Sequence, residues 1–348
     1  MRILVVGSDQ VWSLEKTYIK YLLQEGALVE LFAAQNFFYE YNSRSILNKI
    51  KVRAGVSGIY KSINEQLRAK IGQFRPDIVW VFKGMEVLPE TLTWMKEKNI
   101  LSVNYNPDNP FIFSGRGSGN RFVTESINLY DEHLTYNLEV KKRLEERGLR
   151  VAFLPFGFEL AEDVFQSACQ EPEIPRACFL GNPDAQRAAV IKELVKAGIS
   201  IDLYGNGWDK FVEDQSLQKI FPAVYGNNFW KTLRSYRFQL NLMRIHNEDS
   251  HNMRSFEVPG VGGIMLAPAT TEHKMFFTDG KEAFLYSDIK ECVEKAKYIL
   301  ALPKEEADTI RARARERSLD DGYTYQQRAR TAFKQFQDLY AQAGHHSF

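Results

Sequence analysis

Short β-branched and aliphatic runs alternate with longer amphipathic stretches along this chain, and near residue 175 the pattern starts again. That alternation is the signature of an α/β protein. In the first half, strands are expected at Ile3–Val6, Leu28–Phe32, Asp77–Phe82, Ile100–Asn104, His133–Tyr136 and Val151–Leu154. Helical periodicity is clearest at Leu14–Gln24, Ile59–Gln73, Pro89–Lys98 and Leu138–Arg147. Strands this apolar, joined by helices, imply a parallel sheet covered on both faces. Glu171-Pro172-Glu173-Ile174-Pro175 reads as a linker. Beyond it, strands are expected at Ala177–Leu180, Ser200–Tyr204, Phe238–Met243, Gly263–Ala267 and Ala283–Tyr286. Helices are expected at Ala185–Ala197, Phe229–Ser235, His251–Val258, Ile289–Leu300, Lys304–Ser318 and Tyr325–Ala341. The expected organisation is two doubly wound domains, residues 1–170 and 176–324, followed by a C-terminal helix and tail at 325–348.

The chain's 348 residues suit two domains at about 150 residues each. Its 45 Lys and Arg against 44 Asp and Glu leave a net charge of +1, so no bulk field draws it to nucleic acid. Arg2–Gly7 is a short apolar run without the features of a signal peptide, and no stretch reaches the roughly 18 apolar residues of a membrane span. Three cysteines, Cys169, Cys178 and Cys292, lack the spacing of a disulfide framework or a zinc site. A cytoplasmic protein with no transmembrane segment is expected.

Missing motifs narrow the chemistry. The first strand ends Val6-Gly7-Ser8-Asp9-Gln10, and the second domain opens Phe179-Leu180-Gly181-Asn182-Pro183; neither carries GxGxxG. There is no GxxxxGK[ST], HExxH, GxSxG or Asp-x-Asp. What remains is the segment from Asn247 to Gly263, which follows one buried strand and precedes another. Its start should be a helix N-terminus at the carboxyl edge of the sheet, where open α/β folds bind ligands. Backbone amides at His251, Asn252 and Met253, with Arg254, would favour a diphosphate, and Glu257 one turn on could accept from a ribose diol. The plainer alternative is an i,i+3 surface pair between Arg254 and Glu257.

The run Asn252-x-Arg254-x-Phe256-Glu257-Val258-Pro259-x-x-Gly262-Gly263, followed by Glu272 and Gly280-Lys281-Glu282-Ala283, resembles the CgeB-like (spore maturation) branch of glycosyltransferases. The C-terminal half of that branch is similar to the group-one glycosyltransferases. The resemblance extends upstream through Gly181-Asn182 with Arg187, Tyr204-Gly205-x-Gly207-Trp208 and Tyr225-Gly226. In the first half it includes Val81-Phe82-Lys83-Gly84 and Asn106-Pro107-Asp108-Asn109-Pro110-Phe111. It implies a GT-B fold: two Rossmann-like domains, an interdomain cleft, and a C-terminal helix crossing back to the first domain. It also implies transfer of a sugar from a nucleotide-diphosphate sugar to an acceptor hydroxyl, with no metal or other cofactor.

Carried over residue by residue, the resemblance puts the ribose on Glu257 and the diphosphate on the backbone of His251, Asn252 and Met253 beside Arg254. Gly181, Asn182, Arg187, Tyr204 and Gly205 would line the donor pocket, and Tyr225 and Gly226 would flank the base. Asp249, eight positions before Glu257, stands where the group-one enzymes carry the first glutamate of a pair, near the donor sugar. Tyr323-Thr324-Tyr325 with Arg328 departs from the family's His-Thr-Tyr. Pro259 implies a short or kinked helix.

On the acceptor side, Asp108 or Glu86 could deprotonate a hydroxyl. Equally, Asp108 sits in a turn sequence and Glu86 at a helix N-terminus. Lys83 suits a phosphate contact or a solvated surface. His246, Glu248, Asp249 and His251 suggest a metal only weakly, because zinc asks for three or four converging ligands. Phe37-Phe38-Tyr39-x-Tyr41 suits core packing or an acceptor pocket, and Gly115–Arg121 a mobile loop. His345 and His346 read as tail. The group-one likeness leans to retention at the anomeric carbon, whereas a base at Asp108 favours inversion. Two alternatives stand beside transfer: a non-catalytic interaction protein that keeps the fold, and a sugar-nucleotide epimerase.

Overall fold

The computed structural model describes residues 1–113, 115, 117–212, 216–244, 247 and 249–344. The chain forms two compact units: Met1–Pro155 together with the segment from Tyr325 onward, and Phe156–Thr324.

In the first unit, β1 (Arg2–Val6), β2 (Leu28–Phe32), β3 (Ile78–Phe82), β4 (Leu101–Asn106), β5 (Glu132–Thr135) and β6 (Val151–Phe153) build one sheet. All neighbours are parallel, in the order β2-β1-β3-β4-β5-β6. Every residue of β3 is buried, which is why Ile-Val-Trp-Val-Phe reads as a continuous apolar run and not as an alternation. Leu4, Val6, Val79 and Val81 face the helices Ile59–Phe74 and Pro89–Glu97. Ile3, Val5, Trp80 and Tyr105 face the helices Leu14–Gln24 and Tyr325–Gln342. The last helix belongs to this unit because Ala329, Ala332, Phe336 and Leu339 form one apolar face, and Phe336 packs edge-on against Trp80 at 5.0 Å.

In the second unit, β7 (Ile174–Leu180), β8 (Ile201–Tyr204), β9 (Gln218–Phe221), β10 (Tyr236–Leu240), β11 (Met265–Pro268) and β12 (Phe284–Tyr286) form a second parallel sheet. Its order is β12-β11-β10-β7-β8-β9. Strand order reverses between β7 and β10 here, and between β1 and β3 in the first unit. At such a switch point the loops leaving adjacent strands diverge and open a crevice for ligands.

Several expectations are corrected. The segment Glu171–Pro175 is not a linker: Glu173 pairs with Arg237 and with Arg311 (2.6 Å), and Pro175 lies within β7. Its missing N–H is tolerated because the β7–β10 register shifts beside it. The boundary falls at Pro155/Phe156, since the helix Glu162–Cys169 packs on the helix Gly226–Ser235 within the second unit. The helix expected from His251 starts at Arg254 and runs to Gly260 with Pro259 inside it, a short helix as the proline implies. The helices Ala34–Arg44 and Ile46–Arg53 escaped the sequence reading because they bury only Ala34 and nothing, respectively, and so carry no core-facing periodicity.

Candidate functional site

The carboxyl edge of the second sheet is organised around close backbone approach. A Cβ on residue 205 would lie 2.9 Å from the Gly181 carbonyl carbon and closer to its oxygen, so glycine is required where the loops after β7 and β8 meet. Trp208 Nε1 donates to that same carbonyl (2.8 Å), and Asn182 Oδ1 accepts from the Asn206 N–H (3.0 Å). Arg187 is buried, and its guanidinium donates to the carbonyls of Asn182 and Leu242 (both 3.1 Å). It therefore staples together the loops that leave β7 and β10. Tyr204 stacks on Phe221 (4.8 Å) and donates its hydroxyl to Tyr236, which donates to Asp202 (2.8 Å). These contacts make Arg187 and Tyr204 part of the frame. Tyr225, by contrast, is 75% exposed just before the helix Gly226–Ser235, and Gly226 takes a left-handed φ of 58° that favours glycine.

The loop after β10 is pinned by two buried histidines. His251 donates Nδ1–H to Glu272, while its Nε2 accepts from the Phe156 N–H (3.1 Å). Glu272 also accepts from Ser250 Oγ (2.7 Å). His273 donates Nδ1–H to the Pro268 carbonyl (2.7 Å), leaving Nε2 to accept from Ser255 Oγ (2.8 Å). Burial holds His273 down near pKa 4, so it is neutral and keeps this tautomer. Ser255 Oγ in turn accepts from Asn241 Nδ2 (3.0 Å) and the Asn252 N–H (3.1 Å). The carboxamide of Asn252 accepts from the Ser255 N–H (3.2 Å), which closes the first turn of the helix. The imidazole of His251 is thus a structural clamp, and the Asn252 amide already has a partner. Asp249 Oδ1 accepts from the Thr271 N–H (2.8 Å), tying the loop to the helix Thr271–Phe276. Of the residues that build this clamp, Asn241 carries a sequence signal, as a polar residue inside the run Phe238–Met243, whereas Ser255 and His273 lie among charged neighbours and carry none.

Beyond this clamp Arg254 pairs with Glu257 through Oε2 and lies over the Phe229 ring at 4.4 Å. The i,i+3 pair weighed from sequence is therefore present. Glu257 Oε1 has no hydrogen-bond partner among the described residues. His246 and Glu248 lie outside the described residues, as do Arg116, His345 and His346. Among the described residues, no three His, Cys, Asp or Glu side chains are placed to hold a metal.

The first unit gathers carboxylates at its own switch point. β3 ends in a left-handed pair, Lys83 (φ 57°) and Gly84 (φ 93°), and a Cβ on Gly84 would lie 2.7 Å from the Tyr130 hydroxyl. A non-glycine residue in this conformation is strained. It directs Lys83 Nζ to Asp108 Oδ2 (2.7 Å) and the Gly117 carbonyl (2.8 Å). Asp108 donates its N–H to Asn106 Oδ1 (3.0 Å), so the turn role is also present. Glu86 is buried, and its carboxyl is raised to about 7 by burial, with Glu15 adding to the rise and Lys83 opposing it. Glu15, which sequence reading missed, packs against Gly7 and accepts from the Ser8 N–H (2.8 Å). Its carboxyl too is raised by burial. One lysine thus faces three acids, two of them desolvated.

Residues 186–334 match the glycosyl transferase-like family. The spore protein CgeB of Bacillus subtilis (strain 168) is 22% identical over 267 residues, covering 71% of this chain and 79% of CgeB. Sucrose-phosphate synthase from Thermosynechococcus elongatus superposes with a TM-score of 0.68 at 10% identity, over 98% of this chain and 99% of that one. Anabaena HepE in complex with UDP-glucose gives 0.64 at 12% identity, over 97% and 100%. With its two six-stranded parallel sheets, the chain has the two-domain α/β GT-B fold of these solved structures, and it is similar in sequence to the spore protein CgeB and, over residues 186–334, to the glycosyl transferase-like family.

Proposed function

We propose that this protein transfers a sugar from a nucleotide-diphosphate sugar to an acceptor hydroxyl, without a metal, in the reducing cytoplasm. The observation that carries the reading is the Arg254–Glu257 pair beside the β7/β10 switch point, with one Glu257 oxygen unclaimed among the described residues. Glu257 Oε1 would accept from the ribose diol, and Arg254 would turn a guanidinium N–H to the diphosphate. A cation placed there stabilises the charge that develops on the leaving group. The HepE complex with UDP-glucose makes a UDP-sugar the first donor to try. Tyr225, exposed beside Gly226, is proposed to stack on the base. Asp249 is proposed to reach the donor sugar with its second carboxylate oxygen. Gly181, Asn182, Arg187, Tyr204 and Gly205 shape the pocket through the frame contacts described above. On the first unit, Glu86 and Asp108 are the proposed proton acceptors for the incoming hydroxyl. A carboxyl held near 7 by burial is matched to that task at neutral pH. The three cysteines are free, in keeping with a reducing compartment.

The test is nucleotide release from UDP-, GDP-, dTDP- and CMP-sugars in EDTA, comparing wild type with Glu257→Ala. Turnover of one donor that resists EDTA and is lost in the variant is expected. Product analysis then separates transfer from epimerisation. Absence of both turnover and saturable binding for every donor would overturn the reading.

A further inference from the structure

The helix Ile46–Arg53 in the first unit buries none of its residues, yet three of the eight are large aliphatics. Ile46 is 76% exposed, Leu47 68% and Ile50 53%. At about 100° per residue these three fall on one arc of roughly 100°. Lys49 and Arg53 border that arc on one side and Lys51 on the other. Asn48 and Val52 lie opposite and are half-buried, and Asn48 Nδ2 donates to the Tyr41 carbonyl (2.8 Å). The helix is therefore seated on its neighbour by its small back face and presents its apolar stripe outward, the reverse of a globular surface helix. Val56, just past its end, is 73% exposed as well.

Along the stretch of sequence that carries this stripe the charge has one sign. Between Tyr41 and Asn64 the sequence holds five cations (Arg44, Lys49, Lys51, Arg53 and Lys61) and no acid, in a chain whose net charge is +1. None of Arg44, Lys49, Lys51 or Arg53 has an ion-pair partner among the described residues. Among the described residues, no helix is long and apolar enough to cross a membrane. An outward apolar arc bordered by unpaired cations matches a surface that is apolar in depth and anionic at its rim, namely a bilayer with acidic headgroups.

We propose that the helix Ile46–Arg53 lies flat in the interface of an anionic lipid bilayer, with Ile46, Leu47 and Ile50 inserted and Lys49, Lys51 and Arg53 at the phosphates. The protein is thereby a peripheral membrane protein, held by one short helix and released by salt. This inference does not depend on the glycosyl-transfer reading.

The experiment is co-sedimentation of the full chain with large unilamellar vesicles, either phosphatidylglycerol–phosphatidylcholine (1:1) or phosphatidylcholine alone, at 0.1 and 0.5 M NaCl. Binding is expected to the anionic vesicles at low salt, at least tenfold weaker at high salt or on neutral vesicles. Lys49→Gln with Lys51→Gln should weaken it roughly 30-fold. Ile46→Ser, Leu47→Ser and Ile50→Ser together should weaken it more than roughly a hundredfold. Both variants should unfold at the wild-type temperature, since the substituted side chains are exposed. A Leu47→Cys variant carrying an NBD label should brighten and shift to the blue on anionic vesicles. The proposal is overturned if wild type does not bind anionic vesicles, if the triple serine variant binds as wild type, or if the label at 47 stays unchanged. It is also overturned if sedimentation velocity shows a dimer that the triple variant converts to monomer without lipid binding, which would assign the stripe to a second copy.

Discussion

Replacing Glu86 by glutamine should stabilise the protein, and by an amount that depends on pH in one direction. The Glu86 side chain is 6% exposed, and its carboxyl is raised from the ordinary 4.5 to about 7, chiefly by burial and further by Glu15, against the pull of Lys83. A raised folded-state pKa means that the folded protein binds this proton more tightly than the unfolded chain. Between about 4.5 and 7 the folded state therefore loses stability as pH rises, and the loss is complete above 7. At about 1.4 kcal/mol per pH unit the full span is worth about 3 kcal/mol, of which about 2.5 kcal/mol falls between pH 5 and pH 8. Glu86→Gln keeps the size of the side chain and removes the ionisation. Urea denaturation of wild type and variant at both pH values gives a difference of differences in which all other titrating groups cancel to first order. The variant should gain 2 to 3 kcal/mol relative to wild type on going from pH 5 to pH 8, by about the amount worked above. Parallel pH dependence of the two proteins would refute the buried, proton-holding carboxyl. A variant that is more stable at pH 8 yet inactive would show a residue retained for chemistry at the expense of stability.

Gly205→Ala drives a Cβ into the Gly181 carbonyl, and because both partners are backbone the loops after β7 and β8 must separate. Chemical denaturation should show a loss of about 2 to 4 kcal/mol, and a loss within error would mean that the loops can shift freely. His251→Ala strips the buried Glu272 carboxylate of its main partner and the Phe156 N–H of its acceptor. The expected cost is about 3 to 5 kcal/mol, read as a fall of about 10 °C in the second unit's calorimetric transition; an unchanged transition would contradict the clamp.

The sequence by itself determined the architecture. Continuous apolar runs such as Ile78–Phe82, too short for a helix and rich in β-branched and aromatic residues, read as strands buried on both faces, and their alternation with amphipathic helices leaves a parallel sheet as the economical arrangement. It also located the segment that turns into the candidate site, because Arg254, Glu257 and Pro259 are neighbours in sequence and local spacing fixes their relation on a short helix. Elements without a buried face were beyond it: the helix Ile46–Arg53 lacks the core-facing periodicity that reading relies on, since its stripe faces out. Only the tertiary structure decided what each polar side chain touches. The fold joins His251 to Glu272, Lys83 to Asp108, and Arg187 to the Leu242 carbonyl, across 21, 25 and 55 residues. Those contacts give the His251 imidazole and the Arg187 guanidinium partners within the frame, and bring Glu15 beside Glu86. A buried polar group takes its partner and its proton affinity from desolvation and long-range neighbours, and neither exists until the chain has closed around it.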